Sequence, residues 1–158
     1  MLIAVVSDTH RIQIYIDKVK EMIKKADILI HLGDNVDDAE YISKGFKGKV
    51  YVVRGNCDFS TKYPNEEIIR LDEKTIFITH GHNYSVKSSL TNIFYKGKEV
   101  MADIVLFGHT HESIILEEEN MILMNPGSAS LPRNSQRSIG FIEVEEGRKP
   151  SVYLKEIK

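Results

Sequence analysis

Residues 104–111 read I-V-L-F-G-H-T-H. Ile104, Val105, Leu106 and Phe107 are apolar and stand between Asp103 and Gly108, which is the pattern of a short buried strand bounded by turn formers. The chain then breaks at Gly108 and presents His109 and His111, two metal-ligand side chains two residues apart. A strand has carried potential ligands to its own end.

The same arrangement recurs on both sides of this stretch. Apolar residues 2–6 run into Ser7, Asp8, Thr9 and His10, and residues 28–32 run into Gly33, Asp34 and Asn35. Residues 50–53 run into Arg54, Gly55, Asn56, Cys57 and Asp58, and residues 75–78 into Thr79, His80, Gly81 and His82. Five strand-like runs that all end in ligand-type side chains imply one shared site.

A chain of 158 residues fits a single domain and by size scaling buries roughly 70% of its unfolded surface. The formal charge of -2, with lysine and glutamate scattered along the chain, gives no sign of an extended basic nucleic-acid surface. Any attraction for phosphate must be local. The single cysteine, Cys57, excludes an intrachain disulfide and an all-thiolate zinc site. The first residues carry neither a basic leader nor a long apolar run, and no segment approaches bilayer-spanning length, so a cytoplasmic protein with no membrane association is expected.

After the first strand, Ile12, Ile16, Val19 and Ile23 repeat at helical spacing and predict a helix over 11–25. Strand, helix and the strand at 28–32 make a βαβ unit with a right-handed crossover. Asp37 and Asp38 open a shorter helix to about Lys44, ended by Gly45 and Gly48 before the strand at 50–53. Residues 59–65 are polar loop containing Pro64 and are expected to be the most mobile segment. Residues 66–71 and 74–79 flank Asp72 and Glu73 as a hairpin. Val86, Leu90, Ile93, Phe94, Val100 and Met101 suggest a helix interrupted near Gly97. Strands follow at 113–116, 121–124, 139–144 and 152–154, with a loop over 125–134. A βαβ half followed by a strand-rich half predicts a mixed α/β domain of two stacked sheets with helices outside.

Asp8, His10, Asp34, Asn56, His80, His109 and His111 all stand just beyond strand ends, where open α/β sheets bind ligands. Carboxylate, imidazole and amide oxygen together suit divalent ions such as Mn, Ni, Fe or Zn. Seven donors exceed the needs of one ion, and a pair about 3.5–4 Å apart sharing a carboxylate would use them. Taken singly, each has a plainer reading: Asp8 and Asp34 as helix caps, Asn56 as a turn former. The ensemble favours a metal centre. His31, inside its strand, reads as a hydrogen-bonded core side chain, and His82 is left with the same structural reading.

These residues form a recognisable series. D-x-H at Asp8 and His10, G-D-N at 33–35, G-N-C-D at 55–58, H-G-H at 80–82 and G-H-T-H at 108–111 resemble the five ordered motifs of the calcineurin-like metallophosphoesterases. N-P-G-S at 125–128, followed by Leu131, Pro132 and Arg133, resembles the small single-domain YfcE-like phosphodiesterase branch, over nearly the whole chain. The resemblance implies two stacked mixed sheets and two divalent ions, manganese foremost. One ion would be held by Asp8, His10, Asp34 and His111, the second by Asp34, Asn56, His80 and His109. It also implies in-line attack on the phosphorus of a small phosphodiester by a hydroxide bridging the ions, with Asn56, Cys57, Asp58 and His80 at the reacting centre. In many larger relatives the position of Cys57 is a histidine that protonates the leaving oxygen, and Asp58 orients that histidine. The alternatives are a phosphomonoesterase acting on a nucleotide or phosphoprotein, and a metal-binding interaction scaffold like the retromer subunit of this fold. The sequence leaves homo-oligomerisation open.

Overall fold

In the computed structural model, which describes residues 1–71 and 73–158, ten strands form two five-stranded mixed sheets. In the first, β1 (Leu2–Val6), β2 (Ile28–His31) and β3 (Lys49–Val52) are parallel, and β9 (Ser138–Glu143) and β10 (Ser151–Glu156) extend the β1 edge antiparallel, giving the order β10-β9-β1-β2-β3. In the second, β5 (Lys74–Thr79), β6 (Ile104–Leu106) and β8 (Met121–Pro126) are parallel, with β4 (Glu66–Leu71) and β7 (Ser113–Glu118) antiparallel at the edges. The helices are α1 (Gln13–Met22), α2 (Val36–Ser43) and α3 (Thr91–Glu99).

The central strands read as unbroken apolar runs because both of their faces are covered. Ile3, Val5, Ile28, Ile30 and Leu32 point between the sheets and meet Ile76, Ile78, Ile104, Leu106 and Met124. The alternate residues Ala4, Val6 and Leu29 point outward to Ile16, Val19 and Ile23 of the α1 segment and Ile42 of α2. On the far side Phe77, Val105 and Leu123 pack against Ile93 of α3. This is the predicted architecture, with a core on each face of the sheets.

Several element ends differ from the sequence reading. Helix α1 starts two residues later than predicted because His10 and Arg11 take left-handed backbone, at φ 46° and 59°, which no helix accommodates. Helix α3 is not interrupted at Gly97. A Cβ there would stand 2.6 Å from Met121 Sδ and Val105 Cγ2, so the glycine lets the helix lie directly on β6 and β8. Val86 and Leu90 precede that helix, following a 3-10 turn at His82–Tyr84, and Met101 is 81% exposed. Strand β8 continues through Asn125 and Pro126, which the sequence reading placed in the following loop. The hairpin of β4 and β5 forms as predicted, and of its turn Asp72 lies outside the described residues. Among the described residues no helix is long and apolar enough to cross a membrane.

Candidate metal centre

The carboxyl ends of the parallel strands in both sheets open on one edge of the sandwich, where the loops after β1, β2, β3, β5 and β6 converge. The backbone breaks there abruptly. Asp8, His10, Asp34, His109 and His111 all have positive φ, between 46° and 69°. Asp and His tolerate this conformation better than most residues, yet each such position still costs about 1 kcal/mol or more. The tertiary structure holds them there.

Two groups of donors result. Asp8, His10, Asp34 and His111 form one, and Asp34, His80 and His109 the other, with the ligand atoms of each within 4.8 Å of one another. In the first, His111 Nε2 is 3.2 Å from Asp8 Oδ1 and His10 Nε2 is 3.1 Å from His111 Nε2. His10 Nε2 is 3.9 Å from Asp34 Oδ2, whereas His80 Nε2 is 3.4 Å from Asp34 Oδ1. Asp34 thus turns one oxygen to each group. Asp8, Asp34 and His80 are buried, and His10 and His111 are nearly so.

The imidazoles are aimed by bonds at their other nitrogen. His80 Nδ1 donates to the Leu32 carbonyl at 2.8 Å and His111 Nδ1 to the Leu131 carbonyl at 2.7 Å, which leaves each Nε2 as a lone pair facing the site. Asp8 Oδ1 and His80 Nε2 are buried without a hydrogen-bond partner. Two buried carboxylates facing the Nε2 lone pairs of His80 and His111 are a donor set that a divalent cation satisfies. The residues fit the ions that the sequence reading calls for.

The electrostatics agree. Burial alone would raise the Asp8 carboxyl, but the facing His111 imidazole, the nearby His80 and the Ser7 hydroxyl outweigh it and hold it down at about 2. Burial lowers His10, and burial together with His80 and Lys87 takes His109 down to about 4, so its lone pair is free at neutral pH. His111 is raised by the Asp8 carboxylate 3.2 Å from its Nε2.

The G-N-C-D loop lies against Asp34. Cys57 N–H donates to Asp34 Oδ1 at 3.0 Å, and the neighbouring Asn56 turns its amide Nδ2 to Cys57 Sγ at 3.6 Å. Partial burial, with Asp34 and Asp58 nearby, pushes the Cys57 thiol up to about 11. Asp58 accepts from the backbone N–H groups of Asp34, Asn35, Val36 and Gly55 at 2.8–2.9 Å, binding the loop after β3 to the loop after β2. His82 is beside the site, its ring 5.4 Å from that of His80, and belongs to neither group. His31 is fully buried, accepting from Gly33 N–H and lying 3.3 Å from Thr9 Oγ1, as a core side chain.

Some supporting residues were not legible as such. Ser128 Oγ donates to the Asp8 carbonyl at 2.7 Å and Ser130 Oγ to the Thr9 carbonyl at 2.6 Å, so the N-P-G-S loop clamps the left-handed turn after β1. Ser7 Oγ donates to Asp8 Oδ2 at 2.5 Å, and the side chain of Asn35 meets His10 Nδ1 at 3.3 Å.

Residues 1–147 match the calcineurin-like phosphoesterase superfamily domain. The chain is 31% identical over 134 residues to the probable metallophosphoesterase YsnB of Bacillus subtilis, covering 84% of this chain and 78% of that protein. Two solved structures share the fold: an archaeal phosphodiesterase at TM-score 0.79 and 22% identity, covering 98% of this chain and all of that one, and Vps29 of Entamoeba histolytica complexed with zinc, at TM-score 0.77 and 20% identity over 99% of this chain and 98% of that one. A family domain over most of the length, with both donor groups at its strand ends, leads to one conclusion: the chain belongs to the calcineurin-like phosphoesterase superfamily, whose members are hydrolases acting on phosphoester bonds.

Proposed function

We propose that the chain is a phosphodiesterase with a binuclear centre, in which Asp8, His10, Asp34 and His111 hold one divalent ion and Asp34, Asn56, His80 and His109 the other. The observation that carries this reading is the placement of Asp34, with Oδ2 toward His10 and Oδ1 toward His80. When bound, two such ions supply a hydroxide nucleophile at neutral pH and positive charge for the phosphoryl oxygens. The protein's part is to fix the donors before substrate arrives. Buried Asp8 stays ionised, the Leu32 and Leu131 carbonyls set the His80 and His111 tautomers, and Asp58 keeps the Asp34 loop against the Cys57 loop. No side-chain nucleophile is needed.

The test is hydrolysis of bis-p-nitrophenyl phosphate by metal-stripped protein after adding Mn, Ni, Zn, Fe or Mg singly, with bound metal counted in each sample. Activity that rises with two ions per chain is the expected result, manganese foremost. Faster hydrolysis of the monoester than of the diester would favour a phosphomonoesterase. Two bound ions with neither activity would favour an interaction scaffold.

Cys57 sets the substrate range in this reading. A thiol held near 11 is neutral at pH 7 and a poor proton donor to an alkoxide. Aryl diesters should therefore be cleaved much faster than alkyl diesters, and Cys57→His should raise the alkyl rate by about tenfold or more, toward the usual contribution of a general acid. Equal aryl and alkyl rates in the unmodified protein would contradict this role.

A further inference from the structure

His10 differs from the other two aimed histidines of the site. His80 and His111 direct Nδ1 to backbone carbonyls, whereas the partner of His10 Nδ1 is a side chain, the amide of Asn35, at 3.3 Å. Asn35 is 8% exposed and stands at the N-cap of α2, where an asparagine side chain ordinarily accepts a bond from the first turn. It makes no such cap. Its backbone takes φ 75°, and its backbone N–H is already bonded to Asp58 Oδ1 at 2.8 Å. The left-handed turn points the amide away from α2 and onto His10.

We infer that Asn35 is a positioning residue for the first ion: through His10 it fixes the tautomer in which Nε2 is a bare lone pair. That role rests on the binuclear reading above. His10 Nε2 is 3.1 Å from His111 Nε2, close to the separation of two nitrogens on one ion, and His111 Nε2 carries no proton because its Nδ1 donates to Leu131. For His10 to ligate in the same way, its proton must sit on Nδ1 and needs an acceptor. Rotating the Asn35 amide by 180° exchanges its oxygen and nitrogen and provides one. Among the described residues the amide has no other hydrogen bond to lose. Nδ2 is the amide atom beside Nδ1 in the structure, and ligation of His10 through Nε2 calls for the rotated amide.

The substitutions Asn35→Gly and Asn35→Asp separate this role from a backbone one. Both residues accept a left-handed φ better than most, and both keep the backbone bond to Asp58. Glycine removes the acceptor. Aspartate can only accept, and so favours the ligating tautomer outright. Calorimetric titration of metal-stripped protein with Mn is expected to show N35G weakening one of two ions by about 10- to 100-fold while the other is unchanged, and N35D binding as tightly as the unmodified protein or more so. In zinc-loaded unmodified protein, the nitrogen chemical shifts of His10 should place its proton on Nδ1.

Full affinity for both ions in N35G would overturn the inference, as would N35D as weak as N35G, or a zinc-loaded His10 protonated on Nε2. If the unmodified protein binds no ion, the binuclear reading falls and this inference with it. That result is distinct from one in which two ions bind and Asn35 makes no difference.

Discussion

Asp34→Asn is expected to lower the affinity for both ions together and to reduce phosphodiester hydrolysis by about a thousandfold, roughly 4 kcal/mol of transition-state stabilisation. The side chain of Asp34 has three claims on it. Cys57 N–H donates to Oδ1, His80 faces Oδ1 and His10 faces Oδ2. An asparagine can keep its oxygen for Cys57 N–H only by turning its NH2 toward His10, which places a donor where a cation would stand and removes the negative charge that both groups share. His10→Ala should instead weaken mainly one ion, since His10 belongs to a single group. Metal counting after dialysis, with the diester assay in parallel, separates the two variants. An Asp34→Asn protein that kept two ions and full activity would remove Asp34 from the bridging position.

Gly55→Ala is expected to cost about 3 kcal/mol of stability and to abolish the rise in melting temperature that added metal gives the unmodified protein. A Cβ on Gly55 would lie 2.1 Å from Asp34 Oδ1 and 2.6 Å from Asp34 N. The obstruction includes backbone, so no rotamer change relieves it. The loops also cannot separate without breaking the three bonds that Asp58 accepts from Asp34, Asn35 and Val36 across them. Overpacking a core commonly costs 1–3 kcal/mol, and here the displaced atom is the carboxylate oxygen that faces His80. Gly45→Ala is the useful comparison, since nothing stands within 4 Å of its Cβ and only its φ of +85° is strained. It should cost about 1 kcal/mol and leave the response to metal intact. Melting curves with and without manganese decide between these outcomes. A metal-stabilised Gly55→Ala protein would show that the two loops have room to move apart.

What the sequence disclosed and what it withheld divide along a physical line. The buried strands and the side chains at their ends were readable because apolar runs and turn formers are local signals, and both donor groups assemble from positions named on that basis. The pairing of β8 between β6 and β7 was not readable, because parallel neighbours are chosen by long-range packing that no local pattern records. Helix α3 runs through Gly97 for a related reason: the residue looks like a breaker alone and becomes a contact surface against Val105 and Met121. The left-handed backbone at His10 and Arg11, which shortens α1, is imposed from outside the segment. Ser128 and Ser130 hold the carbonyls of Asp8 and Thr9 from more than a hundred residues away. The aiming of His80 and His111 was hidden as well, since a carbonyl of Leu32 or Leu131 has no identity in a sequence.

The order of strands in the first sheet bears on how the molecule is made. The second sheet draws on residues 66–126 alone, so every one of its partners has been synthesised once that stretch is complete. Strand β1, by contrast, leads the chain and has β9 as a neighbour: Leu2 pairs with Glu143, and the Met1 amino group donates to the Val144 carbonyl. Until residues 138–143 emerge, one side of β1 is an unpaired, wholly apolar edge, the kind of surface that recruits other chains. The clamp of Ser128 and Ser130 on the turn after β1 arrives only slightly earlier. During synthesis, Asp8 and His10 therefore gain the bonds that hold their turn only after residue 130 has emerged.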